Sequence, residues 1–135
     1  MRPYPGSPSG IPGVETLFPV MATLVVRDQV VPVEKLAAFL CENPASVFGL
    51  TNKGRIAPGY DADLAIVDLN LNRQLTAGQL KTKVKWSPFV GERLYGWPMH
   101  TVLRGRIVMR DESFVGMPSG RAAEFIRHRA TAERR

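Results

Sequence analysis

The change from helical to strand patterns along the chain falls within KGRIAPGYDADLAIV, residues 53–67. The first part of this stretch is rich in glycine and proline, which favour turns because glycine reaches positive φ and proline fixes φ. Its last part, residues 64–67, is a short apolar run between Asp63 and Asp68, as in a β-strand. Helical periodicity precedes this stretch and strand patterns follow it. The sequence therefore predicts an α+β order, helices first, rather than alternating βα units.

The first predicted helix has one apolar face with helical spacing. This face comprises Leu17, Val20, Met21, Leu24 and Val25. Because Pro19 must lie in the first turn, the helix is predicted to begin near Thr16 or Leu17. A second amphipathic helix is predicted over residues 33–42, and Cys41, which lies beside its apolar face, is expected to be a buried thiol.

A short third helix is predicted over residues 44–48, after a break in the helical pattern at Asn43. Asn43 suits the N-cap position, and Pro44 suits the first turn. Gly49 is expected to end it. Beyond residue 68, residues 82–86 are predicted as an edge strand because lysines alternate along them.

A β-hairpin is predicted near the end of the chain. Residues 101–103 and 106–109 are its strands, and Arg104-Gly105 is its turn. Residues 122–135 are predicted to form a terminal helix.

Residues that could carry chemistry are few. His100 and His128 have no partner at metal-ligand spacing, and Cys41 is the one cysteine. No nucleophile or phosphate-binding motif is present. Asp61 and Asp63 favour a turn or structural role over calcium binding, which needs more oxygen ligands. We therefore predict no catalytic and no metal-ligating residue in this chain.

One segment could form the wall of a site. Residues 9–13, SGIPG, are small residues just before the first helix. They suit close approach of a ligand to backbone N–H groups, and they equally suit a plain linker.

Composition and charge set the broad class. With 135 residues, 44% apolar and 22% charged, the chain is expected to form about one soluble domain. Residues 1–13 lack the apolar centre of a secretory signal, and the single cysteine favours a reducing, cytoplasmic setting. The net charge of +6 is concentrated in residues 104–135, with eight arginines against four acidic residues. This tail favours a solvated surface over a nucleic-acid arm.

Several segments together resemble the cyclic amidohydrolases. They are, in chain order, GIPGVET (10–16), VEKL (33–36), ENPA (42–45), FGL (48–50), KGRIAPGYDADL (53–64), WSPF (86–89), GWP (96–98) and TVLRGR (101–106). The resemblance runs from about residue 9 to about residue 121. Within the family, the sequence is most similar to dihydroorotase, with hydantoinase, dihydropyrimidinase and allantoinase as close competitors. Two departures stand out: Asp111-Glu112 replaces the family's usual Asp-Gly turn, and the tail after Arg121 has no counterpart.

The resemblance implies a fold in three parts. Residues 1–50 would be a loop and the last helices of a (β/α)8 barrel, residues 51–121 would be strands of a small β-sandwich, and residues 122–135 a basic tail. A complete barrel takes about 250 residues. The chain would therefore be an α+β fragment from the C-terminal part of such a protein. Three origins are open: a truncated gene, a split subunit, or a fragment of a longer chain.

The resemblance also implies metal-dependent hydrolysis of a cyclic amide C–N bond, with zinc as the usual metal. The family's metal ligands precede the residues present here, so no cofactor is expected in this chain and no activity is expected from it alone. The backbone at Ser9 and Gly10 would contact the substrate. The expected partner is the missing barrel portion or further copies of the chain, with no membrane and no nucleic acid. The alternative is a non-catalytic assembly or partner-binding module.

Overall fold

The computed structural model describes residues 10–126. These residues divide into two compact units. One comprises residues 10–33 and 67–98, and the other comprises residues 34–66 and 99–126. The predicted division at residues 50 and 121 remains a prediction. None of the helices in the described part of the chain is long and apolar enough to cross a membrane.

Helix α1, Leu17–Val26, begins where the sequence predicts, with Pro19 in its first turn. Its buried residues are Pro19, Ala22 and Thr23, and the Thr23 hydroxyl donates to the Pro19 carbonyl oxygen at 2.7 Å. The predicted apolar face is only half-buried, and Leu17 is 56% exposed. The closest packing of α1 is therefore at its small residues, not at its large apolar ones.

The predicted break at Asn43 is wrong. Helix α2, Glu34–Ala37, continues into a π-helical segment, Ala38–Glu42, and then into α3, Asn43–Val47. Asn43 has helical φ and ψ angles, and its N–H donates to the Ala38 carbonyl, five residues back. A π segment widens the helix locally, so the backbone stays helical as it enters Pro44, which lacks an N–H. Gly49, with φ +63°, ends this helical run as expected.

The core of the first unit is formed by buried apolar residues from the chain around two strands, β1 (Leu64–Gln74) and β2 (Arg93–Leu103). They are Leu75, Leu80, Leu94 and Trp97, with Val20, Leu71 and Phe89 packed against them. The Trp97 indole N–H donates to the Leu94 carbonyl at 3.1 Å, and the Arg73 guanidinium lies 3.9 Å above the Trp97 ring. A short 3-10 helix, Ala77–Gln79, lies between the two strands in sequence.

The sheet has four strands in the order β1-β2-β3-β4. They are β1 Leu64–Gln74, β2 Arg93–Leu103, β3 Arg106–Arg110 and β4 Ser113–Phe114. Strand β1 is longer than the predicted residues 64–67. Residues 69–74 alternate between half-buried and exposed positions. This period of two is that of a pleated strand, whose successive side chains point to opposite faces of the sheet.

The predicted hairpin is confirmed as antiparallel β2 and β3, with Leu103 opposite Arg106. Its turn residues, Arg104 and Gly105, have φ angles of +46° and +76°. Two positive φ angles in a two-residue loop are the geometry of a type I′ turn, whose twist matches that of the strands.

Two other predictions are wrong. Residues 82–86 form no strand; they lie in a bend and turn, and the N–H groups of Lys81 and Thr82 donate to the Glu15 carboxylate instead of a neighbouring strand. Residues 122–126 are not helical, and Phe125 forms an isolated antiparallel bridge with Leu50. The rest of the predicted terminal helix, residues 127–135, lies outside the described residues.

The turn between β3 and β4 gives a first prediction. Asp111 and Glu112 both have positive φ, +46° and +62°, and a residue with a Cβ there costs about 1–2 kcal/mol relative to glycine. Replacement by glycine removes this cost, but part of the gain in stability is offset because glycine has more conformational freedom in the unfolded state. Glu112→Gly is therefore expected to have a free energy of unfolding about 1 kcal/mol above that of Glu112→Ala, which lacks the same carboxylate, in urea denaturation.

The matched control for this prediction is Gly105→Ala, which places a Cβ at the second position of the other two-residue turn, where φ is +76° and no heavy atom lies within 4 Å of the added carbon. It should change stability in the opposite direction. If Glu112→Gly is no more stable than Glu112→Ala, the turn is not strained.

Candidate functional site

The segment predicted as a site wall forms the entry to α1. The Gly13 carbonyl accepts the N–H groups of Thr16 at 3.0 Å and Leu17 at 2.7 Å, so the chain turns there into the helix. Gly10 is exposed, and a Cβ added at Gly10 or Gly13 would meet nothing within 4 Å. Ser9 lies outside the described residues. The predicted substrate contact at Ser9 and Gly10 remains a prediction.

Glu15 holds this entry segment against a distant loop. Its carboxylate accepts the N–H groups of Lys81 at 2.8 Å and Thr82 at 2.6 Å. Burial raises the pKa of Glu15, but these hydrogen bonds outweigh burial and hold the pKa below its usual value. This role of Glu15 was not predicted, because nothing local in the sequence links two positions 66 residues apart.

The second unit contains a compact ionic cluster built on Lys53. The Lys53 ammonium lies 2.7 Å from Asp61 Oδ2 and also donates to Asp63 Oδ2. Asp63 Oδ1 accepts the Arg104 backbone N–H at 2.7 Å, and the Gly105 N–H donates to the Ala62 carbonyl at 3.0 Å. The cluster therefore ties the turn-rich stretch before β1 to the β2–β3 turn.

The cluster shifts two pKa values in opposite directions. Hydrogen bonds to Asp61 and Asp63 raise the pKa of Lys53. Burial raises the pKa of Asp63, but the Lys53 ammonium and the Arg104 amide outweigh burial and hold that pKa below its usual value. Both groups are thus charged at neutral pH, and the carboxylates are engaged by an ammonium group.

A polar cleft of about 310 Å³ adjoins this cluster. Its lining comes from the cluster, from the end of β2 and from residues 120–124. Asp61 and Asp63 were predicted to have a turn or structural role, without a connection to Lys53 or to a cleft. The opposite charges of Lys53 and the two aspartates within one turn-rich stretch were the signal in the sequence that could have indicated the cluster.

The described residues do not fit the zinc site that the resemblance to cyclic amidohydrolases implies. Within residues 10–126, no group of three or more His, Cys, Asp or Glu side chains could hold a metal ion. His100 Nδ1 accepts the Asp111 backbone N–H at 3.4 Å, which engages one of its two ring nitrogens. Cys41 is exposed, so the expected buried thiol is wrong. His128 lies outside the described residues.

Acid titration tests the ionic cluster. Because the pKa of Asp63 is lower in the folded chain than its unfolded value of about 3.9, its contribution to stability is complete above that value. The contribution is lost as pH falls through the folded pKa. Asp63→Asn is expected to be less stable at pH 7 and to lose less stability than the unsubstituted chain between pH 7 and pH 3, measured by urea denaturation at each pH.

Lys53→Met checks the same contact from the other partner. It should also reduce the acid dependence, because the ammonium is what favours the charged form of Asp63. Parallel curves for all three proteins would contradict the assigned contact.

Comparison with known proteins gives the family. The sequence profile of the amidohydrolase family matches residues 10–108, and the chain belongs to this family. Dihydroorotase of Methanothermobacter thermautotrophicus is 38% identical over 105 residues, covering 78% of this chain and 24% of that protein. Dihydroorotase of Bacillus cereus is 39% identical over 107 residues, covering 79% of this chain and 25% of that protein.

Solved structures agree with the sequence relatives. L-hydantoinase (dihydropyrimidinase) from Arthrobacter aurescens matches with a TM-score of 0.74 and 36% identity, over 79% of this chain and 24% of that one. D-hydantoinase (dihydropyrimidinase) from Thermus sp. matches with a TM-score of 0.72 and 28% identity, over 82% and 24%. The resemblance to cyclic amidohydrolases is confirmed, and the chain spans about a quarter of the length of these relatives.

Proposed function

We propose that this chain is the C-terminal portion of a dihydroorotase-like hydrolase that opens cyclic amides, and that it acts only together with a catalytic portion. The observation that carries this proposal is the match itself. Some 36–39% identity to dihydroorotases and a hydantoinase spans nearly four-fifths of the chain but only a quarter of each relative. The relatives' names indicate cyclic amide substrates.

In this proposal, the two halves of the chain have different places in the whole enzyme. Helices α1 to α3 are the last helices of the barrel, and strands β1 to β4 belong to the small β-sandwich beside it. The backbone at Ser9 and Gly10 lines one edge of the substrate site. The metal, which supplies a hydroxide nucleophile and polarises the ring carbonyl, would be held by the catalytic portion.

Exposed apolar side chains support the need for a partner. In the second unit, several large apolar residues are at least two-thirds exposed. They are Val47, Phe48, Ile56, Phe114 and Met117. Burying such side chains is worth about 1.5–3 kcal/mol each, so association that covers them is strongly favoured. The partner we propose is the barrel portion, or further copies of this chain in its absence.

Complementation tests the proposal. The dihydroorotase of M. thermautotrophicus would be produced without the quarter that matches this chain, then mixed or co-expressed with the chain in the presence of zinc. We expect a soluble complex that hydrolyses dihydroorotate, whereas neither part does so alone. Hydantoin, assayed in parallel, distinguishes the ring substrate.

Two outcomes would decide against this function. Turnover by the chain alone, retained after dialysis against a chelator, would contradict its dependence on a catalytic portion. A stable complex or a homo-oligomer with no activity toward either ring would instead support the alternative, a non-catalytic assembly module, for which the exposed apolar residues are the favouring observation.

A further inference from the structure

The last described segment of the chain is attached to the residues that follow α3. The Thr51 N–H donates to the Glu124 carbonyl at 3.0 Å, and the Ile126 N–H donates to the Gly49 carbonyl at 2.7 Å. Between these bonds, Leu50 and Phe125 form an antiparallel bridge. The segment is thus added to Gly49–Thr51 in the way that an extended peptide adds to a free strand edge. We call residues 119–126 the strap.

The strap is also one wall of the polar cleft. Residues 120–124 line the cleft together with Lys53, Asp61 and Asp63. At the start of the strap, the Arg104 guanidinium donates to the Ser119 carbonyl. The same residue, Arg104, donates its backbone N–H to Asp63. The strap is therefore held at both ends, and the ionic cluster lies beside it.

The family profile matches the residues of the ionic cluster and ends before the strap. The amidohydrolase profile ends at residue 108, whereas Lys53, Asp61 and Asp63 lie within the matched region. The lining of the cleft therefore combines residues inside the matched region with residues 120–124, which follow it in the chain.

The contacts of the strap are weak enough to open. Its residues from Gly120 to Ile126 are all exposed, and Phe125 and Ile126 each keep 56% of their surface exposed. The strap is held mainly by surface hydrogen bonds, each of which contributes about 0.5–1.5 kcal/mol net. Segments with little apolar burial and exposed hydrogen bonds open at a fraction of the cost of global unfolding.

We propose that residues 119–126 act as a closing strap that releases Gly49 and Thr51 when it opens and so controls access to the polar cleft at Lys53. In the closed state, the Thr51 N–H is hydrogen-bonded and the Lys53 side chain is only 22% exposed. In the open state, the Thr51 amide exchanges with solvent and the Lys53 amine meets reagents from the cleft side.

The test compares two substitutions at one position in the full chain. Ile126→Pro removes the N–H that donates to Gly49, whereas Ile126→Ala keeps it and removes more of the side chain, so lost side-chain contact alone cannot make the proline variant exchange faster. Hydrogen–deuterium exchange at Thr51 is expected to be about tenfold faster in Ile126→Pro than in Ile126→Ala, which corresponds to the loss of one hydrogen bond. Exchange at Val115, whose N–H bonds to Val108 in the β3–β4 hairpin, should be equal in the two variants.

Acylation of Lys53 by a water-soluble N-hydroxysuccinimide ester, located by mass spectrometry, is the second readout. It should be faster in Ile126→Pro than in Ile126→Ala, and as fast or faster in a chain ending at Pro118. Equal Thr51 exchange and equal Lys53 labelling in all three proteins would overturn the proposal. So would a dependence of Thr51 protection on protein concentration, because the strap would then come from a second copy. Neither readout depends on hydrolytic activity, so the outcome is independent of the proposed function.

Discussion

Replacing Gly96 with alanine is expected to destabilise the first unit severely. Gly96 is buried in β2 with φ +71°, and a Cβ at this position would lie 2.5 Å from the Cβ of Ala22, which is fully buried in α1. Positive φ costs a residue with a Cβ about 1–2 kcal/mol, and overpacking a filled core costs about 1–3 kcal/mol more. We expect a loss of about 2–5 kcal/mol in the free energy of unfolding.

The helix cannot simply move away from the added methyl group. The Tyr95 N–H, next to Gly96, donates to the Thr23 hydroxyl at 2.9 Å, and Thr23 is next to Ala22. Separating the strand from the helix would therefore leave a buried hydroxyl and a strand amide without this bond, at a further cost. Urea denaturation followed by the fluorescence of Trp97, which is buried in the adjoining core, measures the effect.

Gly116→Ala is the matched control for Gly96→Ala. Gly116 has nearly the same φ, +75°, but a Cβ there would meet nothing within 4 Å. It should therefore show the backbone cost alone, about 1–2 kcal/mol. If the two substitutions destabilise the chain equally, the close approach of β2 to α1 does not contribute to stability and the prediction fails.

Gly54→Ala is expected to have the second largest effect, in the other unit. Gly54 has φ +88°, and an added Cβ would lie 2.7 Å from the Ala45 Cβ and 2.8 Å from the Cys41 carbonyl oxygen. The second of these atoms is backbone of the π-helical segment, which cannot rotate aside as a long side chain could. We expect the free energy of unfolding to fall by about 2–4 kcal/mol, measured by circular dichroism in urea.

Gly59→Ala provides a control with an almost identical backbone. Gly59 has φ +86°, and nothing lies within 4 Å of an added Cβ. The difference between Gly54→Ala and Gly59→Ala therefore isolates the contact with the helical run. In the complementation assay, Gly59→Ala should still restore hydrolysis whereas Gly54→Ala should restore much less. A Gly59→Ala variant as unstable as Gly54→Ala would show that the φ angle, and not the contact, decides the effect.

Several features of the fold were predictable because they depend on residues a few positions apart. Pro19 determines where α1 begins, since it fits only the first turn of a helix. Gly105 supports a two-residue hairpin turn, and the apolar runs on both sides pair as expected. The amidohydrolase resemblance was also predictable, because short motifs in the right order can be recognised without knowledge of the tertiary contacts.

Other features were mispredicted from equally local signals. The alternating lysines at residues 81–85 predicted an edge strand, but the Glu15 carboxylate takes the N–H groups of Lys81 and Thr82. Asn43 has the residue type of an N-cap, but a π-helical segment keeps the backbone helical through it. At residues 81–85, hydrogen bonds to a distant carboxylate outweighed the preference for a strand. At Asn43, the geometry of the preceding helical turn outweighed the preference for an N-cap. Intrinsic preferences of this kind are worth less than about 2 kcal/mol.

The features of the candidate site likewise fall into those that were predictable from the sequence and those that were not. The family and the α+β order of the elements could be predicted without coordinates, because both depend on residue types and short spacings. The folded chain was needed to show that Lys53 binds Asp61 and Asp63, and that Arg104 joins them from a turn 41 residues beyond Asp63. The position of the strap beside the cleft was likewise visible only in the folded chain. Even the nearest of these partners, Lys53 and Asp61, lie beyond the reach of helix or strand periodicity and are separated by a turn-rich segment. Their relative positions therefore follow from how the whole backbone packs and from no local pattern.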